Sequence, residues 1–565
     1  MLENQSKTKL KNRLIVIWLL GCLAVGGFLR LYNLGGPSVW VDELNHFYAG
    51  KSLLENGTPA LPSGELYSRA LLYSKMVAYS FKLFEINEFS LRLPSALFGL
   101  LCILLVYFVA RRFFGTTPAL LSALFTAISP FAIGWSRISR MYTLFQFLFV
   151  LALVSFYLGF EAKNSQAFAR WQETLLNQIR LSKLRSFLVN WRLNLFWLLL
   201  SFMLLLISYF VHQLTALFFA GLVFYCVIQF LQFWREHGLK AAVKTKYFLV
   251  MTGFAFAMLA AVLVIPDFIS FLNYALLYLP KWANMPKFQD RKLFLDFIFD
   301  EHNFPMGVLF IIGAYQIFSR RHGFGMYSLS VFISCLFLFT FVFSYRHLQY
   351  IYSVYPILIM TSAFAFSNII KLELPGIKAR WFPKSRWQMV AIKGLVVGLF
   401  LAWLPLTPAL RLTKSIPFND AGGFNGAIYL TELRQACDFV QQRMQEEDVL
   451  ISPNALGTQF YLGRVDYDLN FADLDLAKEK ALLNEQDEYF DLYTGKPFVE
   501  SVAQLQALME KEQRIWIISE SYKFYRASVY LPVPLRKFVL AHFQKALTTK
   551  DGTMVVFKYE KERLD

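Results

Sequence analysis

Two adjacent carboxylates are the residues of this sequence whose spacing most directly suggests chemistry. Asp42 and Glu43 follow Trp40 in the segment GGPSVWVDELNHFYAG. Neighbouring carboxylates repel one another, and in a partly desolvated site one of them can accept a proton as a general base. The same residues are also compatible with a purely structural acidic pair beside an interfacial tryptophan. They are nevertheless the leading candidates for catalysis.

Three arginines form a second candidate group. Arg137 and Arg140 lie in SRISRMY, directly before Tyr142, and Arg346 precedes Tyr350 in FSYRHLQYIYSVYP. An (i, i+3) pair shares one face of a helix, and a guanidinium group binds phosphate through two parallel hydrogen bonds. The alternative is that these long side chains simply extend from helix ends toward water. We predict a phosphate-binding site.

Three further residues carry weaker signals. His212 lies in a short turn between two apolar runs, where a single histidine is more often a packing residue than a catalyst. Glu301 and His302 are adjacent and could ligate a divalent metal, but no spaced third ligand accompanies them. The sequence therefore implies no firm cofactor and leaves a divalent metal open.

Apolar runs must position these residues, and they are long enough to cross a membrane. About eleven runs approach the roughly 20 residues that a bilayer requires. They lie at 13–33, 93–110, 117–135, 141–160, 193–211, 214–233, 248–266, 305–319, 325–344, 348–369 and 389–409. Basic loops favour a cytoplasmic N-terminus, so the candidate residues all fall on the outer side. A basic segment at 161–192 is compatible with a helix on the cytoplasmic leaflet or with a solvated loop.

Composition excludes several classes of protein. Of the 565 residues, 56% are hydrophobic, the mean hydropathy is +0.43, and the net charge is +17. Residues 1–410 hold 37 basic and 16 acidic side chains, whereas the remainder holds 19 and 23. The positive charge thus follows the membrane loops, which argues against nucleic-acid binding. Four of the five cysteines lie in apolar runs, so no disulfide framework or zinc spacing is predicted.

The polar C-terminal part has a different pattern. We predict a transmembrane domain over 1–410 with a catalytic outer loop at 34–91, a linker over 411–429, and an α/β domain over 430–565. Helical patterns at TELRQACDFVQQRM and SVAQLQALMEKE precede strand-like DVLIS and RIWIIS, and TMVVFKY ends the series. The fold class is therefore an α-helical polytopic membrane protein with an extracytoplasmic α/β domain.

Four segments of the membrane half resemble the GT-C glycosyltransferases that use polyprenyl-phosphate sugars. These segments are VDELNHFYAGKSLLENG, EINEFSLRLPSALFGLLCILLVYFVARRFFG, ISPFAIGWSRISRMYTL and YRHLQYIYSVYPIL. That superfamily includes protein O-mannosyltransferases and the lipid A aminoarabinose transferase. A first-loop Pro-Pro pair and an adjacent Arg-Tyr pair, common in such proteins, are not found at the matching positions here.

The resemblance implies a role for each candidate residue. Asp42 would be the general base and Glu43 would orient the acceptor or the donor. The donor phosphate would be held by Arg137, Arg140, Tyr142, Arg346 and Tyr350. His212 occupies a position where such enzymes often have a histidine, without an assigned role.

The function predicted from the sequence is sugar transfer outside the cytoplasm, with inversion and direct displacement. The partners would be a polyprenyl-phosphate-sugar donor, membrane lipids, and a glycan, lipid or protein acceptor. A bacterial inner membrane is the expected location, with the C-terminal domain in the periplasm or outside the cell. A lipid-linked glycan polymerase or ligase, and a lipid flippase or transporter, are the alternatives. The absence of acidic residues from the predicted spans argues against the transporter.

Overall fold

The computed structural model consists of a helical membrane part and a C-terminal α/β domain. It describes residues 2–161, 191, 193–265, 269–270, 290–300, 303–371, 394, 398, 410, 431–469, 481–483, 489–525 and 531–561. The predicted last span at 389–409, the segment 161–192 and the linker at 411–429 fall almost entirely outside these residues. Their predictions remain as stated.

The described membrane part is built mostly from apolar helices. Its helices are α1 Leu2–Leu31, α2 Val41–Asn56, α3 Leu71–Phe84, α4 Glu88–Phe113, α5 Thr116–Ile128, α6 Pro130–Ser136, α7 Tyr142–Phe160, α8 Leu195–Val211, α9 Leu217–His237, α10 Leu239–Ala242, α11 Lys246–Val264, α12 Leu293–Ile298, α13 Phe304–Ser319, α14 Gly323–Phe337 and α15 Tyr355–Lys371. Among the described residues, six helices are long and apolar enough to cross a bilayer. The protein is an integral membrane protein.

The predicted third span, 117–135, is a broken helix. Helices α5 and α6 meet at an angle of 58°. Ser129 separates them with extended backbone, as expected for a residue before proline, and its hydroxyl caps α6 by accepting from the Ala132 N–H. After this bend the chain reaches the start of α2, because the Ser139 N–H donates to the Glu43 carboxylate at 2.7 Å.

The first outer loop contains two packed helices, α2 and α3, joined by a small hairpin. Ala60 and Leu66 form an isolated antiparallel bridge that closes the hairpin. Ala70 begins α3 in the left-handed backbone region (φ 52°), which is unusual for a residue with a Cβ atom. This turn brings α3 back against α2 and α4.

The C-terminal domain is a five-stranded mixed sheet with helices packed on it. Its helices are α16 Leu433–Gln441, α17 Ala455–Leu462, α18 Val502–Lys511, α19 Ser521–Tyr525 and α20 Val533–His542. Its strands are β1 Val449–Ser452, β2 Tyr467–Asp468, β3 Ala481–Leu483, β4 Tyr489–Asp491, β5 Arg514–Glu520, β6 Gln544–Thr548 and β7 Met554–Glu560. The sheet order is β2-β1-β5-β7-β6, and β3 pairs with β4 separately.

Most of the predicted elements of this domain are confirmed. The strand-like segments correspond to β1, β5 and β7, and the two helical patterns correspond to α16 and α18. Strand β6 was not predicted, because QKALT lies at the sheet edge and only two of its residues are even partly buried apolar ones. The predicted fold class, a helical polytopic membrane protein with a C-terminal α/β domain, is confirmed, and the side of the membrane on which the domain lies stays a prediction.

The C-terminal domain docks on the first outer loop. Arg434 of α16 bridges to Glu88 at 2.6 Å and donates to the carbonyls of Gly35 and Gly36. The Tyr461 hydroxyl of α17 accepts from the Val39 N–H at 2.9 Å. The domain therefore contacts the chain immediately before α2.

Candidate active site

Asp42 and Glu43 are adjacent in the sequence but lie in different environments. Both occupy the first turn of α2, where the free N–H groups of a helix favour negative charge. The Asp42 side chain is 42% exposed, whereas the Glu43 side chain is completely buried. Only Asp42 is therefore open to a ligand from the outer side.

Glu43 is held by a full set of hydrogen bonds. Arg92 of α4 donates to both carboxylate oxygens at 2.8 Å. The N–H groups of Ser139 and Trp40 donate to the same two oxygens at 2.7 and 2.9 Å. With these partners Glu43 joins α2, α4 and the turn before α7, which fits a positioning role better than contact with a substrate.

Arg140 lies beside Asp42. One terminal nitrogen lies 3.7 Å from the Asp42 carboxylate, and the other donates to the Asp42 carbonyl at 2.8 Å. The Tyr142 ring lies 5.9 Å from the guanidinium carbon. The Arg140 Nε has no hydrogen-bond partner among the described residues. Arg140 can therefore offer a donor to an anion next to Asp42.

Arg137 has a different role from the one expected. Its guanidinium donates to the carbonyls of residues 29, 30, 32 and 33, at distances between 2.8 and 3.2 Å. These carbonyls belong to the end of α1, where helix geometry leaves acceptors unpaired. Arg137 thus binds a helix end, and the (i, i+3) pair does not act as one phosphate clamp.

The turn between α1 and α2 is bound by arginines from three parts of the chain. Arg92 donates to the carbonyls of Leu34, Pro37 and Ser38, in addition to its bonds with Glu43. Arg137 and Arg434 bind the flanking carbonyls. These contacts give a structural reason for basic residues on the outer side and fix the start of α2.

Arg346 and Tyr350 lie in the segment between α14 and α15. Arg346 donates to the carbonyl of Thr340 at 3.1 Å and lies near the charges of Asp290 and Arg291. Tyr350 is close enough to Tyr142 and Arg69 to interact with them electrostatically. The structure thus relates Tyr350 to Tyr142, whose ring lies beside Arg140.

Two buried histidines, His46 and His212, lie close enough to Arg140 to be affected by its charge. The Nδ1 of His46 bonds to Ser74 Oγ at 2.9 Å, and the Nδ1 of His212 accepts from the Leu214 N–H at 3.1 Å. Neither Nε2 has a hydrogen-bond partner among the described residues. Burial, together with the charges of Arg140 and Arg69, holds the pKa of both imidazoles below the ordinary value, for His212 at about 3. Both rings are therefore neutral at pH 7.

The neutral histidines predict that acid destabilises the protein. The folded-state pKa of His212 lies below the unfolded value of about 6.5, so the unfolded state binds the proton first as the pH falls. The protein therefore loses up to about 1.4 kcal/mol of stability per pH unit as the pH falls from about 6.5 to about 3. His212→Asn retains a side-chain acceptor for the Leu214 N–H and does not titrate. We expect its Tm in detergent to fall less than that of the wild type between pH 7 and pH 5. Equal slopes for the two proteins would exclude a contribution from His212.

Three residues of this site are not predicted from the sequence. His46 lies one turn after Asp42 in α2, so helical spacing could have linked them. Arg69 precedes the left-handed Ala70 and acts electrostatically on both histidines. Arg92 lies 49 residues from Glu43, and nothing in the local pattern indicates that they pair.

The metal prediction lies outside the described residues. Glu301 and His302 both fall in an undescribed gap. Within the described part of the chain, no group of three His, Cys, Asp or Glu side chains is arranged to hold a metal ion.

Comparisons by sequence cover only parts of the chain. A family model described as dolichyl-phosphate-mannose-protein mannosyltransferase matches residues 68–172. An uncharacterised protein of Aquifex aeolicus (strain VF5) is 33% identical over 146 residues, or 25% of this chain. That alignment spans 29% of the relative's own length.

Comparisons by structure cover nearly the whole chain. ArnT from Cupriavidus metallidurans bound to undecaprenyl phosphate matches with a TM-score of 0.55 at 16% identity, over 96% of this chain and 98% of that one. The archaeal oligosaccharyltransferase AglB from Archaeoglobus fulgidus, in complex with an inhibitory peptide and a dolichol-phosphate, matches with a TM-score of 0.59 at 14% identity, over 98% and 75%. At these identities the likeness is one of fold.

Proposed function

We propose that this chain transfers one sugar from a polyprenyl-phosphate donor to an acceptor outside the cytoplasm. Its GT-C glycosyltransferase fold supports this proposal. The observation that carries the proposal is the pairing of a half-exposed Asp42 with the buried Arg140. The proposed general base thus lies beside a guanidinium that can donate hydrogen bonds to a phosphate. The phosphate-linked lipids in the two matched structures support a donor of this class. We place the protein in a bacterial inner membrane with its C-terminal domain in the periplasm.

The proposed reaction is a direct displacement. Asp42 accepts the proton of an acceptor hydroxyl or amine while that oxygen or nitrogen bonds to the anomeric carbon of the donor. The bond between the anomeric carbon and the phosphate oxygen breaks, and polyprenyl phosphate leaves with the electron pair. Arg140 stabilises the charge that develops on the leaving phosphate. No second carboxylate is needed as a nucleophile, which agrees with the enclosed position of Glu43.

An apolar groove between α3 and α4 suits the lipid part of such a donor. Its volume is about 390 Å³, and its lining includes Leu72, Met76, Tyr79, Leu83 and Leu97, with Lys75 also contributing. Arg69 and Ala70 stand directly before α3, so the groove begins close to the charged site. We propose that isoprene units occupy the groove while Arg140 and Arg69 hold the phosphate, with Tyr142 and Tyr350 beside them.

The different contacts of Arg140 and Arg137 predict different effects of removing each. Arg140→Ala removes a charge-assisted phosphate contact worth about 1.5–3 kcal/mol, so donor retention should fall roughly 10- to 100-fold. Arg137→Ala removes a helix-end contact and should lower Tm while the folded fraction keeps its lipid. Mass spectrometry of lipids that co-purify with each variant measures both outcomes.

Two results would contradict this assignment. If the wild type retains no polyprenyl species, the proposed donor site loses its support. If Arg137→Ala loses the donor and Arg140→Ala keeps it, the phosphate lies at the end of α1 instead. Lys51→Ala is a suitable control, because Lys51 lies on the same loop and only approaches Glu55 at 3.9 Å.

A further inference from the structure

A tight turn of the C-terminal domain projects toward the first outer loop. It spans 491–496 and begins at Asp491, the last residue of β4. The Asp491 carboxylate accepts from both the N–H and the hydroxyl of Thr494 at 2.7 Å, and the Gly495 N–H donates to the Asp491 carbonyl at the same distance. These bonds fix the turn internally, so its conformation does not depend on a ligand.

The turn rests on the hairpin between α2 and α3. Ser63 donates through its hydroxyl to the Leu492 carbonyl at 2.6 Å and through its N–H to the Tyr493 carbonyl at 3.2 Å. Gly495 has φ +67°, and a Cβ atom there would lie 3.1 Å from Ser63 Cα. The two backbones are thus in direct contact, and glycine permits both the conformation and the approach.

Tyr493 lies inside this docked turn. Its carbonyl accepts from the Ser63 N–H, and its half-buried ring packs against the core of the membrane part. Burial, and after it the negative charges of Asp42 and Asp491, raises the pKa of the phenol to about 12. Tyr493 is therefore a neutral phenol at the contact between the C-terminal domain and the loop that carries Asp42.

We propose that the C-terminal domain completes the acceptor side of the site and that Tyr493 positions the acceptor against Asp42. This inference rests on the proposed function. Tyr493 and Tyr67 each combine a flat apolar face with a polar tip, and together with the Asp42 carboxylate they suit a ring that carries hydroxyl groups. The acceptor class that this wall fits is a sugar hydroxyl of a glycan or glycolipid.

Docking of the turn can be tested by chemical cross-linking at Leu492, a residue whose backbone conformation does not require glycine. Ser63 Oγ lies 2.6 Å from the Leu492 carbonyl, so thiols at these two positions lie within reach of a short bismaleimide. We expect Ser63→Cys/Leu492→Cys to be cross-linked by this reagent in membranes. Ser63→Cys/Leu540→Cys is the control, because Leu540 is an exposed residue of α20 in the same domain. Failure of the first pair to cross-link, or cross-linking of both pairs, would overturn the docked arrangement.

The role of Tyr493 can be tested by substitution. The assay adds purified protein to membranes from cells that lack it, which supply the donor and the unmodified acceptor. The product is defined as the mass increase of one sugar that the wild type forms and Asp42→Asn does not. We expect Tyr493→Ala to lower the product rate at least 10-fold and to retain the co-purifying donor lipid. Tyr493→Phe should keep most of the wild-type rate, because it retains the ring that contacts the acceptor. Tyr525→Ala, at an exposed tyrosine of the same domain, is the control.

The outcomes separate this inference from the proposed function. If wild type and Asp42→Asn give the same products, the proposed function fails. If they differ but Tyr493→Ala matches the wild type, only the role of Tyr493 fails. Loss of the Ser63–Leu492 cross-link in a Tyr493→Ala background would reveal undocking, and the positioning role would then be rejected. A product in which the sugar is attached to a polypeptide side chain would overturn the acceptor class.

Discussion

Asp42→Asn should reduce sugar transfer by at least 100-fold. A general base typically contributes 10²- to 10⁴-fold to a rate, and the amide cannot accept the acceptor proton. The Asp42 carbonyl that binds Arg140 is backbone and is unaffected by the substitution. Donor retention and Tm should therefore stay near the wild-type values. The rate is measured as product formed by purified protein in acceptor membranes.

Glu65→Gln is the matched control for this variant. Glu65 is an exposed acid of the same outer loop, and its backbone carbonyl closes the hairpin. The substitution removes one negative charge from the loop without touching Asp42. Wild-type transfer by Glu65→Gln and loss of transfer by Asp42→Asn would assign the effect to the Asp42 carboxylate. Retained turnover in Asp42→Asn would remove Asp42 from the mechanism.

The Glu43–Arg92 pair should have the largest effect on stability. Glu43→Gln leaves a buried guanidinium without its counter-charge, which typically costs 3–5 kcal/mol. Replacing both residues by leucine should not restore stability, because the carbonyls of Leu34, Pro37 and Ser38 also lose their donor. The measurement is Tm of each variant in detergent, together with its yield in membranes.

An exposed pair on the same helix provides the comparison. Lys51 and Glu55 lie 3.9 Å apart near the end of α2, and both are solvent-exposed. Pairs of this kind contribute about 0–1 kcal/mol, so Glu55→Gln should leave Tm nearly unchanged. If Glu43→Gln instead keeps the wild-type Tm and loses transfer, Glu43 acts on the reaction and not through the fold.

Sequence pattern was sufficient for most of the long apolar helices among the described residues and for the main strands of the C-terminal domain, whereas α2 and α3 were not predicted and the count of about eleven spans stays a prediction. Hydrophobic length defines a membrane helix, and the alternation of apolar residues defines a strand, so both are encoded locally. The break between α5 and α6 was also marked in the sequence by Pro130, but its 58° bend was not anticipated. A proline signals where a helix can bend and leaves the angle to tertiary packing.

The candidate site was only partly accessible to sequence reasoning. Asp42, Arg140 and Tyr142 were singled out, and they lie together. The carbonyls that Arg137 binds lie 105 and 108 residues away and the one that Arg140 binds lies 98 residues away, and backbone carbonyls carry no sequence signal. Arg137 is therefore indistinguishable from a phosphate ligand until the end of α1 is placed.

The contribution of the C-terminal domain was equally hidden. Tyr493 is separated from Asp42 by more than 400 residues, and its segment looks like an ordinary polar turn. What brings the turn that contains Tyr493 to the loop that contains Asp42 is the docking of α16, α17 and the 491–496 turn on the first outer loop. A sequence pattern reports which face of an element is apolar but not which distant element will cover it.

Asp42 is proposed to drive transfer from a lipid-linked sugar. The most direct measurement is mass spectrometry of the polyprenyl-phosphate pool and the glycosylated products in cells that carry either wild type or Asp42→Asn as their sole copy. We expect the variant to accumulate the polyprenyl-phosphate sugar and to lack one product of a single-sugar increment. A missing ladder of products would favour a polymerase. Identical lipid-linked pools and products in the two strains would contradict the claim.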